Sequence, residues 1–151
     1  MATEMSAAER LSIKQECVDL LFTFAKLNDD RDADGLAELF VTDGVFRRPT
    51  LPDQPYVGRE AIRAGFVAKP ANLLTRHIIC NPIITVLNAN EARADSYILL
   101  YTAAIEPGAK LPVPANPKAL LGAFEDKIVR DSDGVWKFKE RLGSLAISIG
   151  G

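Results

Sequence analysis

The chain has 151 residues, 48% hydrophobic and 25% charged, with a formal net charge of -2. This is the composition of a folded domain that buries a core without staples, and it excludes disordered and fibrous classes. Lys and Arg are scattered rather than gathered into the basic stripe that nucleic acid requires, and no apolar run approaches the roughly 20 residues of a membrane span.

Cys17 and Cys80 are too few and too far apart for a disulfide framework or a zinc ligand set. Both read as core residues in a reducing compartment. The N-terminal stretch carries acids early and has no apolar h-region, so it does not read as a signal peptide. The expectation is one soluble, cytoplasmic domain over residues 1–151.

Ser6 and Glu9 have the S-x-x-E spacing of a capping box. Apolar residues then recur at Leu11, Val18, Leu21 and Ala25, and at Ile13, Cys17, Leu20 and Phe24, which predicts a helix of about five turns to near Leu27. Asn28-Asp29-Asp30 ends it. Asp32 is placed to cap a second, shorter helix carrying Leu36, Leu39 and Phe40. Thr42-Asp43-Gly44 predicts a turn and Val45–Arg47 a short strand. Pro49, Pro52 and Pro55 bracket a loop. A third helix runs from Arg59 to about Val67 with Ala61, Ile62 and Phe66 as its buried face, and Pro70 stops it.

Leu73 to Tyr101 reads as a long hairpin. Runs of Ile, Val, Leu and Thr flank Asn88-Ala89-Asn90, and Asn tolerates the left-handed backbone of a tight turn. The single histidine, His77, lies in the first strand. Residues 106–118 hold four prolines and predict a rigid loop covering the pocket or an interface. Ala119–Arg130 resumes strand character, Asp131 to Gly134 forms a turn, and Val135–Arg141 alternates so that Trp136, Phe138 and Glu140 share the core face. Leu142–Ile149 extends or re-enters the sheet. Segregated helices and strands make an α+β fold, three helices packed on a curved antiparallel sheet with a pocket at its open end.

The residues also carry a family resemblance. Asn28 to Phe40 resembles a D-x-x-D-x-x-x-L-x-x-L-F pattern, Thr42-Asp-Gly-Val45 the segment after the second helix, and Val57 to Ile62 a G-R-E-A-I helix start. His77 through Asn81 resembles H-x-x-x-N, and Gly134-Val-Trp136 a final G-W. In this order they resemble the SnoaL-like group of the NTF2-like superfamily, which includes polyketide cyclases, scytalone dehydratase, a dehydrochlorinase and bile-acid dehydratases. The resemblance covers almost the whole chain. It implies an NTF2-like cone and, by analogy with its lyases, a base formed by a helix-end Asp with the strand His. The matching positions are Asp29 and His77. Asp32 competes with Asp29 but fits helix capping better. Arg141 is the nearest match to a pocket arginine on the last strand.

A carboxylate accepting from one imidazole nitrogen fixes the tautomer and frees the other nitrogen to take a proton. The alternative is a core histidine beside a solvated helix end. Tyr97 and Tyr101 share a strand face and, if it is concave, could polarise a carbonyl oxygen; otherwise they pack. Arg141 could anchor an anion or be a solvated strand residue. Tyr56 is a possible pocket lid, Asn81 shapes a bulge or reaches the pocket, and Trp136 is a possible pocket wall. No phosphate-cradling glycine motif is present, a lone His cannot build a usual metal site, and Ser144 and Ser148 lie outside any nucleophile elbow. The expected function is cofactor-independent proton abstraction from a small hydrophobic substrate. The alternative is a non-catalytic ligand binder or a partner subunit resembling the β subunit of ring-hydroxylating dioxygenases. An exposed sheet face predicts a homodimer built sheet to sheet.

Overall fold

In the computed structural model, which describes residues 4–151, the Ser6 hydroxyl accepts the Glu9 amide at 3.2 Å and the Glu9 carboxylate accepts the Ser6 amide at 2.8 Å. This reciprocal cap starts α1 (Ala7–Asp29). The first three residues of the stretch searched for a leader lie outside the described residues. Ile13, Cys17, Leu20, Leu21, Phe24 and Ala25 are buried along one side of α1, whereas Leu11 is exposed. Asp32 accepts the Gly35 amide at 2.8 Å and caps α2 (Ala33–Glu38).

α2 is shorter than the spacing predicts. Phe40 leaves it to begin β1 (Phe40–Arg47). Thr42-Asp43-Gly44, expected as a turn, lies inside β1, where the pairing with β6 shifts register between Phe40 and Val45. β2 (Tyr56–Val57) leads into α3 (Arg59–Val67), whose buried residues are Ile62, Gly65 and Phe66. Ala61 is exposed; Gly65 takes its expected place because the Tyr56 ring lies where any side chain would project, 2.6 Å from a built Cβ.

β3 (Leu73–Asn88), β4 (Glu91–Ala104), β5 (Ala119–Arg130) and β6 (Trp136–Ile149) form an antiparallel meander. The full six-stranded order is β2-β1-β6-β5-β4-β3. The sheet is not wholly antiparallel: β1 pairs parallel with β6, because the meander begins at the far edge and brings its last strand back beside the first.

Two bulges set which residues face the helices. Between Cys80 and Ile83 the β3·β4 register shifts, with Asn81 at φ 51° in the left-handed region and Pro82 spared a ladder donor. Odd residues Thr75, His77 and Ile79 point inward before it and even residues Ile84 and Val86 after it. On β6, the pairing shifts beside Lys127/Ile128. Trp136 and Phe138 face inward, Lys139 is extra, and Arg141 is turned into the core in place of Glu140.

Phe24 is the hub of the core. Its ring meets those of Phe40, Phe46, Phe66, Phe124 and Phe138 edge-on at 5.5–6.2 Å, the arrangement the ring quadrupole favours. The opposite face of the sheet is partly apolar: Ile78, Leu99, Leu121 and Ile147 are register neighbours across four strands. Cys17 is buried, but Cys80 is only half-buried rather than a core residue. No helix among the described residues is long and apolar enough to cross a membrane.

Candidate active site

α1 ends against β3, which places Asn28 and Asp29 over the inward-facing pair Thr75 and His77. The Asp29 carboxylate accepts His77 Nδ1 at 2.6 Å, the His77 backbone amide at 2.9 Å and the Thr75 hydroxyl at 3.0 Å. Both side chains of the pair are only 10–12% exposed. Burial works against the carboxylate charge, but the His77 ring and amide, with Thr75, outweigh it and hold the Asp29 carboxyl below its ordinary range. An ionised Asp29 requires a proton on His77 Nδ1, which in the neutral ring makes Nε2 the acceptor.

Lys69 fixes the remaining orientations. Its ammonium donates to Thr75 Oγ1 at 2.8 Å and to the Asn28 backbone and side-chain oxygens at 3.2 Å each. Since Asn28 Oδ1 faces the ammonium, Asn28 Nδ2 faces His77 Nε2, at 3.4 Å. Since Thr75 Oγ1 accepts from Lys69, its proton goes to Asp29. The five side chains thus form a closed ring in which each donor direction follows from the charge on Lys69. Burial, with Arg31 and Arg48 nearby, pushes the Lys69 ammonium down to about 8, and Asp29 pulls the other way.

This ring borders a cavity of about 330 Å³, within the size range of small-molecule sites. Phe24, Phe46, Phe66, Ile98, Leu100, Leu120, Phe124 and Leu145 supply its apolar wall, and His77, Asn28, Thr75, Lys69 and Arg48 its polar groups. Gly122 forms part of the wall because a built Cβ there would lie 2.3 Å from the Ser144 carbonyl. A smaller hollow shares Leu100, Thr102 and Leu120 with it and is closed by Asn116 and Lys118. Asn116 ties the proline-rich loop to Thr102 through two hydrogen bonds of 2.8 and 2.9 Å, which places the loop's end beside this smaller hollow rather than on the wall of the main cavity.

The structure brings Asp29 and His77 together; the other expected site residues lie elsewhere. Tyr97 and Tyr101 are 54% and 43% exposed on the outer face of β4, because Ile98, Leu100 and Thr102 hold the inward parity. Arg141 is fully buried, neither solvated nor in the pocket. It pairs with Asp126 at 2.7 Å, and its guanidinium is enclosed by the rings of Phe24, Phe124 and Phe138 at 3.9–4.6 Å. Two of those rings are pocket walls, so Arg141 lies behind them. Tyr56 packs between Gly65, Phe46 and Arg48 and is no lid. Asn81 shapes the β3 bulge and is exposed. Trp136 is buried under Arg130 at the far end of β6.

Asn28, Thr75, Lys69 and Arg48 are the site residues that the sequence reading missed. Thr75 had a signal, sharing the strand parity of His77. Asn28 directly precedes Asp29. Lys69 and Arg48 had none, since only the fold brings these loop cations to the cavity. Among the described residues, no group of three or more His, Cys, Asp or Glu side chains is arranged to hold a metal ion.

The model of the SnoaL-like domain matches residues 9–142. The chain belongs to the SnoaL-like family. Similar solved structures include a candidate scytalone dehydratase of Novosphingobium aromaticivorans, 22% identical with a TM-score of 0.81 over 97% of this chain and 92% of that one. A hexachlorocyclohexane dehydrochlorinase, LinA type 2, is 19% identical with a TM-score of 0.77 over 95% and 91% of the two chains. ActVI-ORFA of Streptomyces coelicolor is 25% identical with a TM-score of 0.69 over 89% and 97%. No curated protein matches the chain. With these relatives, the helices on a curved sheet are the NTF2-like α+β fold of this family.

Proposed function

We propose that this SnoaL-like protein is a cofactor-independent enzyme that withdraws a proton from a small, mainly apolar substrate, in an elimination, isomerisation or aldol-type cyclisation. The observation that carries this reading is the 2.6 Å contact of Asp29 with His77 at the edge of an apolar cavity. His77 Nε2 takes a proton from carbon next to a carbonyl or leaving group, and Asp29 stabilises the imidazolium that forms. The electron pair moves onto the carbonyl oxygen or expels the leaving group. Asn28 Nδ2, beside Nε2, donates to the oxygen on which charge develops, the role expected of Tyr97 or Tyr101. The names of the dehydratase and dehydrochlorinase relatives support this class of chemistry.

The test is proton exchange in D2O with a panel of enolisable aryl ketones, followed by NMR. Deuterium entering the α-carbon with the native protein and not with His77→Gln is the expected result. Exchange unaffected by that substitution would remove the base.

The row Ile78–Leu99–Leu121–Ile147 on the outer sheet face supports a second part of the reading: a homodimer packed sheet to sheet. The same row would suit the partner subunit of a non-catalytic member. The cavity reaching the His77 ring favours the enzyme.

A further inference from the structure

The chain as a whole carries a net charge of -2, yet among the described residues no carboxylate lines the cavity. The charged residues that do line it, Lys69 and Arg48, are both cations. Arg31 adds a third positive charge nearby: it lowers the Lys69 value, as Arg48 does, and it bonds the Lys69 and Leu73 carbonyls at 2.7 and 3.1 Å. Asp29 acts on Lys69 in the opposite sense, but it already accepts three hydrogen bonds from His77 and Thr75. Positive charge is therefore left over on the lining of an apolar cavity.

Both cations are held in place. Arg48 is fixed over the faces of Tyr56 and Phe66, 5.3 and 5.2 Å from their ring centroids, and donates Nη2 to the Gly65 carbonyl at 2.5 Å. Its Nε and Nη1 groups lie outside that bond. Lys69 spends two of its three N–H groups on 3.2 Å contacts with neutral Asn28 oxygens. Charge-assisted bonds to an anionic oxygen are shorter and about twice as strong. An anionic oxygen arriving here would displace weak contacts and relieve cation–cation repulsion. Asn28 and Thr75 would keep their places against His77 and Asp29.

We infer that the substrate of this pocket is an apolar molecule bearing one anionic oxygen, a carboxylate or an acidic phenol or enol, which seats between Lys69 and Arg48. This rests on the reading of the cavity as the substrate site and names the class of molecule it selects. The apolar body lies along Phe66, Ile98, Leu100 and Phe124, and the reacting carbon faces His77. Lys69 and Arg48 are specificity-determining residues in this arrangement.

The test is calorimetric binding of two probes of one shape, 2-naphthoate and the neutral 2-naphthamide, at pH 7. The native protein should bind the carboxylate roughly ten- to hundredfold more tightly, the range for one or two charge-assisted bonds. Lys69→Met and Arg48→Gln should each erase most of that preference, and Lys69→Arg should keep it. His77→Gln should leave it intact, which separates this inference from the assignment of the base. A second measurement needs no variant: between pH 7 and 9.5 the affinity for naphthoate should fall while that for naphthamide stays level. Equal affinity for the two probes, a preference that survives both charge-removing substitutions, a flat pH response, or no binding of either probe would each overturn the inference. Loss of His77-dependent deuterium exchange with the naphthoate preference intact would remove the base and leave the anion site standing.

Discussion

The Asp29 carboxylate holds His77 at two points, the ring Nδ1 at 2.6 Å and the backbone amide at 2.9 Å. The second contact fixes the strand against the helix end, so the first cannot loosen by sliding. Thr75 adds a third bond to the same carboxylate at 3.0 Å. The pair is thus a preorganised unit, and its removal should separate chemistry from stability.

His77→Gln keeps volume and a donor toward Asp29 but supplies no base. Turnover, or probe-ketone exchange, should fall by about 10²–10⁴, the usual contribution of a general base. The melting temperature should stay within about 2–4 °C, the shift expected for 1 kcal/mol in a domain of this size. Asp29→Asn should lose comparable activity because the imidazolium and its tautomer are no longer supported. Thermal unfolding recorded beside the rate checks both. Collapse of the fold in both variants would assign the pair to structure.

Lys69 gives the pocket an alkaline limit. Its ammonium is charged below about 8 and neutral above, so anion affinity should drop as the pH rises past that point. Stability moves the other way. The folded value lies below the ordinary 10.5, so between these values the unfolded chain binds more protons and the native state gains stability as the pH rises. Chemical denaturation at pH 7.5 and 10 should show this gain, and Lys69→Met should remove the difference. The Asp29 carboxyl, held low, contributes stability above the ordinary carboxylate range that is lost as the pH falls through its lowered value.

Asp126 and Arg141 are buried with side-chain exposures of 0% each. Burial pushes the Asp126 carboxyl up to about 7 although Arg141 pulls it down. Asp126→Ala would leave the guanidinium uncompensated among the phenylalanines and should cost about 3–5 kcal/mol, whereas Asp126→Leu with Arg141→Met should recover most of it. Urea unfolding of the single and double variants measures the difference. An Asp126→Ala protein as stable as the native one would mean the pair is not strongly coupled.

The two β-bulges explain which parts of the site were legible in the sequence. The long hairpin, the capping box and the Asp29–His77 positions follow from local chemistry and family pattern. Asn81-Pro82 announced a bulge, and it is there. Nothing local marks the extra Lys139, and so simple alternation put Glu140 inside and Arg141 outside, the reverse of what the fold does. Tyr97 and Tyr101 share a face, as their spacing says, but which face is inward depends on β3 and β5. Lys69 and Arg48 depend on loops folding back onto the cavity, which periodicity does not encode.

Tyr97 and Tyr101 stand on the outer face, and their conversion to Phe should leave activity within about twofold, since surface changes away from the site cost little. Ile147→Asp on the same face should turn a dimer into a monomer with the pocket still able to bind naphthoate. Light scattering at several concentrations reads the state. A native protein that is monomeric throughout would remove the sheet-to-sheet dimer.

The account turns on the tautomer of His77, and as the only histidine it can be read without assignment ambiguity. Long-range ¹⁵N–¹H NMR of uniformly labelled protein with the imidazole in its neutral form should show a proton on Nδ1 and an unprotonated Nε2, with that preference lost in Asp29→Asn. A ring protonated on Nε2 alone in the native protein, or a pattern that Asp29→Asn does not alter, would contradict a base held by Asp29 and presented to the cavity.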